Sequence, residues 1–543
     1  MQKKLGISKV ILVFKINNLI GVGYMFKRKY WLVLALLFVM FIISACSEEG
    51  TETNTENEGE KETATATPAG PQEIRVRVND DPDFLDPHRA TASLSFQQIL
   101  NMFEGLFLPQ PDGSLTEGLA ESYEVSEDGL TYTFKIRQGV KFHNGDPLTT
   151  DDVVYTFERL MGLNGGEKLS KNFDNVASID APDDTTFVMT LKEPNSNFLY
   201  SLTALQSAIL PKSNDGKHNE NPIGTGPFAF AKYSPGTNLE LKKNEEYWQE
   251  GLPYLDKVTF VYQSDDQAAV MNLLAGEVDL TGVPGHRVAE VEGSFNISHQ
   301  NNNSSLIITF NEEKEPFNNL KVRQAINMAI SKQDIIDSIF SGYATPQGSN
   351  MSPAMGDFYL DGLQDVYSFD VEKAKKLLAE AGYPDGFKTK ITVSSHNDMY
   401  PNIAQIAVEN LKQIGIDVEI ETVEWGIWLE RVYFGRDYEM TTIDLTGRPS
   451  AYEILNDYIS TNDNENFFRF KNDEYDQVMA DVLKETDREK QIEYYQRAQE
   501  ILTEQATAVY IADYEILWGS KKNITGLKSY PFWFHDMKEV KFN

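Results

Sequence analysis

Cysteine is almost absent from this chain: one residue, Cys46, in 543. An intramolecular disulfide is therefore excluded, and so is any cysteine-cluster metal site. Histidine is scarce too, with seven scattered residues. Positive charge is in deficit. The 49 Lys+Arg face 82 Asp+Glu, for a formal charge of −33. That argues against a nucleic-acid binder, because phosphate contacts need clustered Lys and Arg. Catalytic signatures are missing as well. No Gly-x-x-x-x-Gly-Lys-Ser/Thr loop, no His-Glu-x-x-His and no Gly-x-Ser-x-Gly elbow occurs. Gly162–Gly166 lacks the lysine of a phosphate loop and reads as a turn. His396-Asn397-Asp398 reads as a loop after a strand, and Asp265-Asp266 as part of a solvated acidic face. The sequence thus predicts no enzyme, no cofactor and no metal site.

Apolar material is ample: 41% hydrophobic and 11% aromatic residues. Such a chain packs a large core, so wholesale disorder is excluded. At this length two or more lobes are expected rather than one core.

The first 45 residues carry seven basic residues (Lys3, Lys4, Lys9, Lys15, Lys27, Arg28, Lys29) and no acid. Lys27-Arg28-Lys29 precede a 13-residue apolar run, Trp31 to Ile43. A basic region followed by a run of that length is a secretory signal. It is short of the about 20 residues that span a membrane. The run ends in Ile43-Ser44-Ala45-Cys46, which resembles the lipobox of bacterial lipoproteins. The resemblance implies cleavage before Cys46 and a diacylglyceryl thioether on it. Met25 is an alternative start, since Phe26–Tyr30 already forms a basic region. Ser47 to Pro71 hold seven Glu, six Thr and no large apolar side chain. Residues 46–71 are read as a disordered tether, with an r.m.s. reach of about 28 Å. The mature chain would carry 42 basic and 82 acidic residues.

From Glu73 the pattern is globular. Ile74/Val76/Val78, Tyr132/Phe134/Ile136, Phe187/Met189/Leu191 and Val258/Phe260/Tyr262 alternate as half-buried strands. Val154, Phe157, Leu160 and Met161 recur at helical spacing after Thr150, read as the N-cap. The second half differs. A helix capped by Asp370 stops at Gly382, with Pro384 beyond. Ile391 and Val393 begin a strand. Ile403 to Ile414 form the next helix, closed by Gly415, and Ile416/Val418/Ile420 alternate again. Strand, helix, strand with short joins is a βαβ unit and argues for an α/β lobe. Two further helices fit Tyr475–Glu485 and Arg488–Thr503.

Several motifs, in order, resemble the extracellular solute-binding proteins of peptide/nickel-type ABC importers, family 5. They are Leu85-Asp86-Pro87-His88, Phe103-Glu104-Gly105-Leu106, Leu119–Tyr123 and Asp128–Phe134. Gly139–Leu148 with Asp151–Val154, Gly224-Thr225-Gly226-Pro227-Phe228, Tyr247-Trp248, Gly276–Asp279, Val322–Ala325 and Ala379–Tyr383 follow. The likeness covers about residues 73–543. It implies a two-lobe α/β periplasmic-binding-protein-like (type II) fold with an extra β-rich subdomain. Lobe I would comprise 72–304 with 506–543, its subdomain near 106–210, and lobe II would comprise 305–505. The implied activity is capture of a peptide or related small solute in the cleft between lobes. The solute would pass to a membrane permease driven by separate ATPase subunits. The protein would be a monomer, tied through acylated Cys46 to the outer face of the membrane. The other readings are a binder of a non-peptide anionic solute or metal chelate, and a ligand-presenting sensor. The glycines of these motifs are expected at turns of positive φ, and Arg323 in an ion pair or on carbonyls.

The resemblance also nominates contacts. Short strand segments that would pair with an extended peptide fall at Thr91-Ala92-Ser93, Thr281-Gly282-Val283 and Leu445-Thr446-Gly447. Trp425 matches a cleft tryptophan of relatives, or packs in the core beside a strand. Tyr510 and Tyr514 lie where relatives carry a cleft tyrosine. Phe532-Trp533-Phe534 are read as core. Where oligopeptide binders place an Asp for the ligand's α-ammonium, this chain reads Arg448, which suits a carboxylate or phosphate. Asp444 lies close by. Two registers stay open. Either Arg448 meets an anionic group, or a slip of one to four residues gives Asp444 the familiar role.

Overall fold

The computed structural model describes residues 72–463, 465–530, 532 and 534–543. Cys46, the signal and the tether lie outside these residues, as does Trp533. No helix among the described residues is long and apolar enough to cross a membrane.

One large sheet organises the chain. From one edge to the other, its strands run Asp417–Val423, Lys388–Ser394, Met440–Leu445, Ser305–Phe310, Ala508–Lys521, Leu280–Gly282, Glu73–Val78, Lys257–Tyr262, Asn238–Lys243 and Phe228–Ser234. The 14-residue strand Ala508–Lys521 sits at its middle. Its first part, Ala508–Ala512, pairs with Ser305–Phe310, and its second part, Glu515–Lys521, with Phe295–Asn301. Three main cores follow. One draws on Leu306 to Ala512. A second draws on Ile74–Phe103, Ala204–Leu280 and Ile524–Val540. A third fills the stretch Leu106–Ile209. These are the two lobes and the extra β-rich subdomain. Residues 508–512, assigned to lobe I from the sequence, pack in the second lobe's core, because their ladder partner is Ser305–Phe310. The chain crosses back at Asp513 rather than at 506.

Local chemistry explains the elements. The expected βαβ unit is present: Lys388–Ser394 and Asp417–Val423 are parallel, joined by the helix Met399–Lys412. Asp370 caps the helix Val371–Glu380 by accepting from the Lys373 amide. Thr149, not Thr150, caps the helix Thr150–Met161. The Asp152 carboxylate accepts from the Thr149 N–H at 3.0 Å and its hydroxyl at 2.7 Å, which holds the first turn. That helix covers the antiparallel subdomain sheet, where Phe157 stacks on Phe187 at 5.3 Å. Arg323 donates to the carbonyls of Phe317 and Gln505 and pairs with Glu312 at 3.1 Å.

Gly224 and Gly226 do not serve as turns of positive φ. Bulk is what excludes other residues. A Cβ on Gly224 would stand 2.1 Å from the Met102 carbonyl oxygen, and one on Gly226 would stand 2.7 Å from that of Asn101. Backbone cannot yield as a flexible side chain would. Gly224→Ala is therefore expected to destabilise the protein by about 1–3 kcal/mol, read as a lower thermal midpoint. An unchanged midpoint would show that this approach is not tight.

Candidate functional site

A cavity of about 720 Å³ opens between the lobes, within the about 300–1,000 Å³ range of ligand clefts. Thr91, Ser93, Phe96 and His88 line it from lobe I, with Leu160, Leu169 and Leu205 from the subdomain side. Across from them stand Trp425, Trp428, Tyr433, Phe467, the run Ile443–Pro449, and Glu453, Asp457 and Glu465. Hydrogen bonds bridge the walls beside it. Ser196 donates its amide to the Leu483 carbonyl and its hydroxyl to that of Val482, both at 2.8 Å. The Ser450 hydroxyl donates to Asn197.

The run Ile443–Gly447 reaches the cavity because its strand loses a neighbour. Met440–Leu445 pairs along its length with Ser305–Phe310. On the other side it pairs with Lys388–Ser394 only at Met440 and Thr441. Beyond Thr441 that edge has no strand partner, the Asp444 backbone meeting the Tyr400 side chain, and residues 443–449 line the cleft. Gly447 follows for steric reasons: a Cβ there would stand 2.2 Å from the Asn303 oxygen.

Asp444 lies on this open edge. Its Oδ2 accepts from the Tyr514 hydroxyl at 3.0 Å. Its Oδ1 is buried without a hydrogen bond of ordinary geometry, the Ser304 hydroxyl being its polar neighbour. Burial pushes the carboxyl up to about 6. Arg448 also faces the cavity, but its charge is already met. It donates to Asp457 at 2.8 and 3.3 Å and to the Glu453 carbonyl at 2.6 Å, with Glu465 at 3.9 Å. Burial raises Asp457 to about 6 even so, and raises Glu453. His88 carries no charge: burial and the adjacent Arg159 hold it down to about 3.

The other nominated residues separate into groups. Thr91 and Ser93 line the cavity, but Thr91-Ala92-Ser93 is not a strand. Asp83 holds Thr91 through its amide and hydroxyl at 2.8 Å, and Ser93 starts the helix Ser93–Ile99. Trp425 joins core and cleft, stacking on Trp428 at 5.2 Å while facing the cavity. Gly282, Val283 and Tyr514 line a second cavity of about 430 Å³. The Asp444–Tyr514 hydrogen bond therefore links the walls of the two cavities. Thr281 is fully buried, between Gly519 and the core. Tyr510 is buried in the lobe II core, its hydroxyl 2.6 Å from that of Thr507, and borders neither cavity. Phe532 is buried in the lobe I core, as read. Glu453, Asp457, Glu465 and the aromatics Trp428, Tyr433 and Phe467 were not foreseen. They come from separate segments, and no spacing marks them among 82 acids.

This fold defines a two-lobe α/β binding protein with an inter-lobe cleft. The family model for bacterial extracellular solute-binding proteins, family 5 Middle, matches residues 114–466. The chain belongs to that family. It is 29% identical over 478 residues to the glutathione-binding protein GsiB of Escherichia coli O1:K1 / APEC, covering 85% of this chain and 92% of that one. The Helicobacter pylori ABC transporter-associated periplasmic binding protein DppA, solved with the peptide STSA, superposes with a TM-score of 0.73 at 27% identity, covering 87% and 98%. AgaA of A. tumefacien R10, solved with agropinic acid, superposes with a TM-score of 0.71 at 27% identity, covering 87% and 99%.

Asp513 ties the crossing segments together beside the cleft. Its carboxylate accepts from the amides of Asn303 and Ser304 at 3.1 Å and from the Ser352 hydroxyl at 2.5 Å. Burial pushes it up to about 7. The folded state thus prefers the neutral carboxyl. Its contribution is full below about pH 4 and is lost as pH rises through about 7. Across about pH 4 to 8, Asp513→Asn is expected to gain stability relative to the wild type. Denaturant melts at stepped pH check this, and a gap independent of pH would contradict it.

Proposed function

We propose that this protein is the substrate-binding component of an ABC importer that captures short peptides through their α-ammonium group. The observation that carries the reading is the strand edge Ile443–Gly447, which has no strand partner beyond Thr441 and lines the cavity, with Asp444 on it. An extended peptide pairs with such an edge through its main chain. Its ammonium complements the Asp444 carboxyl, which has neutral donors in Tyr514 and Ser304 but no cation. Arg448 does not favour an anionic solute, since Asp457 offsets its charge before any ligand arrives. Glutathione, bound by one relative, carries a net negative charge and would meet uncompensated Asp444, Glu453 and Glu465. Lobes I and II close on the ligand about the crossings at 302–304 and 513. Closure is a population shift driven by preferential binding to the closed form. The loaded protein then docks on a permease whose ATPases supply the energy. Binding, not covalent chemistry, is its role.

The protein is held at the outer face of the membrane by lipid on Cys46 and works as a monomer. The tether 46–71 lets it range over the permease.

Calorimetry tests the pocket. Trialanine is expected to bind, and Asp444→Asn to weaken it by about ten- to a hundredfold, the scale of a hydrogen bond to a charged group. N-acetyl-trialanine is expected to bind neither form measurably. Glutathione binding tighter than trialanine would overturn the peptide reading. Separately, Cys46→Ser is expected to move the protein from the membrane to the soluble fraction. Retention in the membrane would refute the lipid anchor.

A further inference from the structure

The charge inventory of the cleft goes further than one ammonium. Five charged side chains line the cavity: Arg448 against Asp444, Glu453, Asp457 and Glu465. Arg448 is bidentate on Asp457, at 2.8 and 3.3 Å. With Asp444 taken by the ligand's ammonium, Glu453 and Glu465 remain without a cation of their own. Among the described residues Glu465 has the Tyr433 hydroxyl, at 2.5 Å, and the distant flank of Arg448 at 3.9 Å. Glu453 has no ion-pair partner within 4.0 Å among the described residues, and burial raises its pKa. Both carboxyls line the cavity, Glu465 with its side chain 38% exposed, and a cation beside them is favoured.

The apolar part of the same wall says what kind of cation. Trp425 and Tyr433 line the cavity, Trp425 stacked on Trp428 and Tyr433 donating its hydroxyl to Glu465 with the Arg436 guanidinium 5.5 Å from its ring. Aromatic faces attract ammonium or guanidinium groups and pack against aliphatic stems. A cation on a methylene stem satisfies both surfaces together. A bare metal ion or a small amine would leave the rings uncovered.

We infer that the cleft selects peptides carrying a basic side chain, lysine or arginine, lodged between Glu453 and Glu465 against the Trp425–Tyr433 wall. The inference rests on the peptide-binding reading above and specifies its substrate class. Arg448 then acts as a positioning residue: it holds Asp457 and the Glu453 backbone in place and leaves the two glutamate carboxylates for the ligand.

The test is calorimetry on the purified mature protein at pH 7.5. The ligands are trialanine and tripeptides in which the second or third alanine is replaced by lysine, norleucine or glutamate. Norleucine keeps the stem and removes the charge. At one of the two positions lysine is expected to bind at least tenfold tighter than norleucine, and glutamate weaker than both. Glu453→Gln is expected to cut the lysine-to-norleucine ratio at least threefold, as is Glu465→Gln. A wild-type ratio below tenfold at both positions, with trialanine still bound, overturns this inference and leaves the peptide reading standing. Failure of every peptide to bind, trialanine included, overturns that reading and this inference with it. The wild-type panel decides the matter even where a variant does not fold.

Discussion

Everything in this molecule hangs on one strand. Ala508–Lys521 supplies ladder hydrogen bonds to Ser305–Phe310 in one lobe and to Phe295–Asn301 in the other. A single peptide chain is therefore the common member of both halves of the sheet. At its midpoint stands Asp513, a carboxylate with no exposed surface. It gathers the amides of Asn303 and Ser304 from the other crossing segment and the Ser352 hydroxyl from lobe II. Burying a carboxylate is costly unless hydrogen bonds replace its water. Here they offset only part of that cost, as the raised pKa shows, while they join the two crossings into one unit.

The binding wall inherits its geometry from that crossing. Tyr514, the next residue along the strand, holds Asp444 through its hydroxyl. Gly447 packs against the backbone of Asn303, so the end of the open edge is fixed against the crossing segment. The groups that line the cleft and the groups that join the lobes are thus neighbours. On the far side the subdomain contacts lobe II through Ser196, Asn197 and Ser450, so the cleft is bounded at both ends.

The electrostatics of the cleft are local and differ from those of the whole chain. The formal charge of −33 reflects a solvated acidic surface. Such a charge keeps a protein soluble and away from anionic surfaces. In the cleft the same sign has another consequence, because burial raises Asp444, Asp457 and Glu453 above their ordinary range. There each acid is a demand for a cation. Arg448, which stands out in the sequence as a departure from oligopeptide binders, answers one of those demands from within the protein.

Periodicity and caps made much of the fold legible from sequence. The βαβ unit, the Asp370 cap, the subdomain strands and the helices near 473–482 and 488–504 correspond to patterns that depend only on neighbouring residues. Ordered motifs likewise marked the family, since their glycines and aromatics serve packing that every member needs. The cap falls at Thr149, one residue before Thr150, because Asp152 bonds Thr149, and Gly224 and Gly226 are set by a clash with the backbone of residues 101–102 that leaves no trace in local sequence. The site was legible only in part. Trp425, Asp444 and Arg448 were named by position, but whether each faces ligand, core or counter-ion depends on Trp428, Tyr514 and Asp457. Those partners lie 3, 70 and 9 residues away in sequence. Local pattern fixed which elements form. Tertiary packing decided which charges meet and which edge stays open, because burial and pairing are properties of space rather than of sequence order.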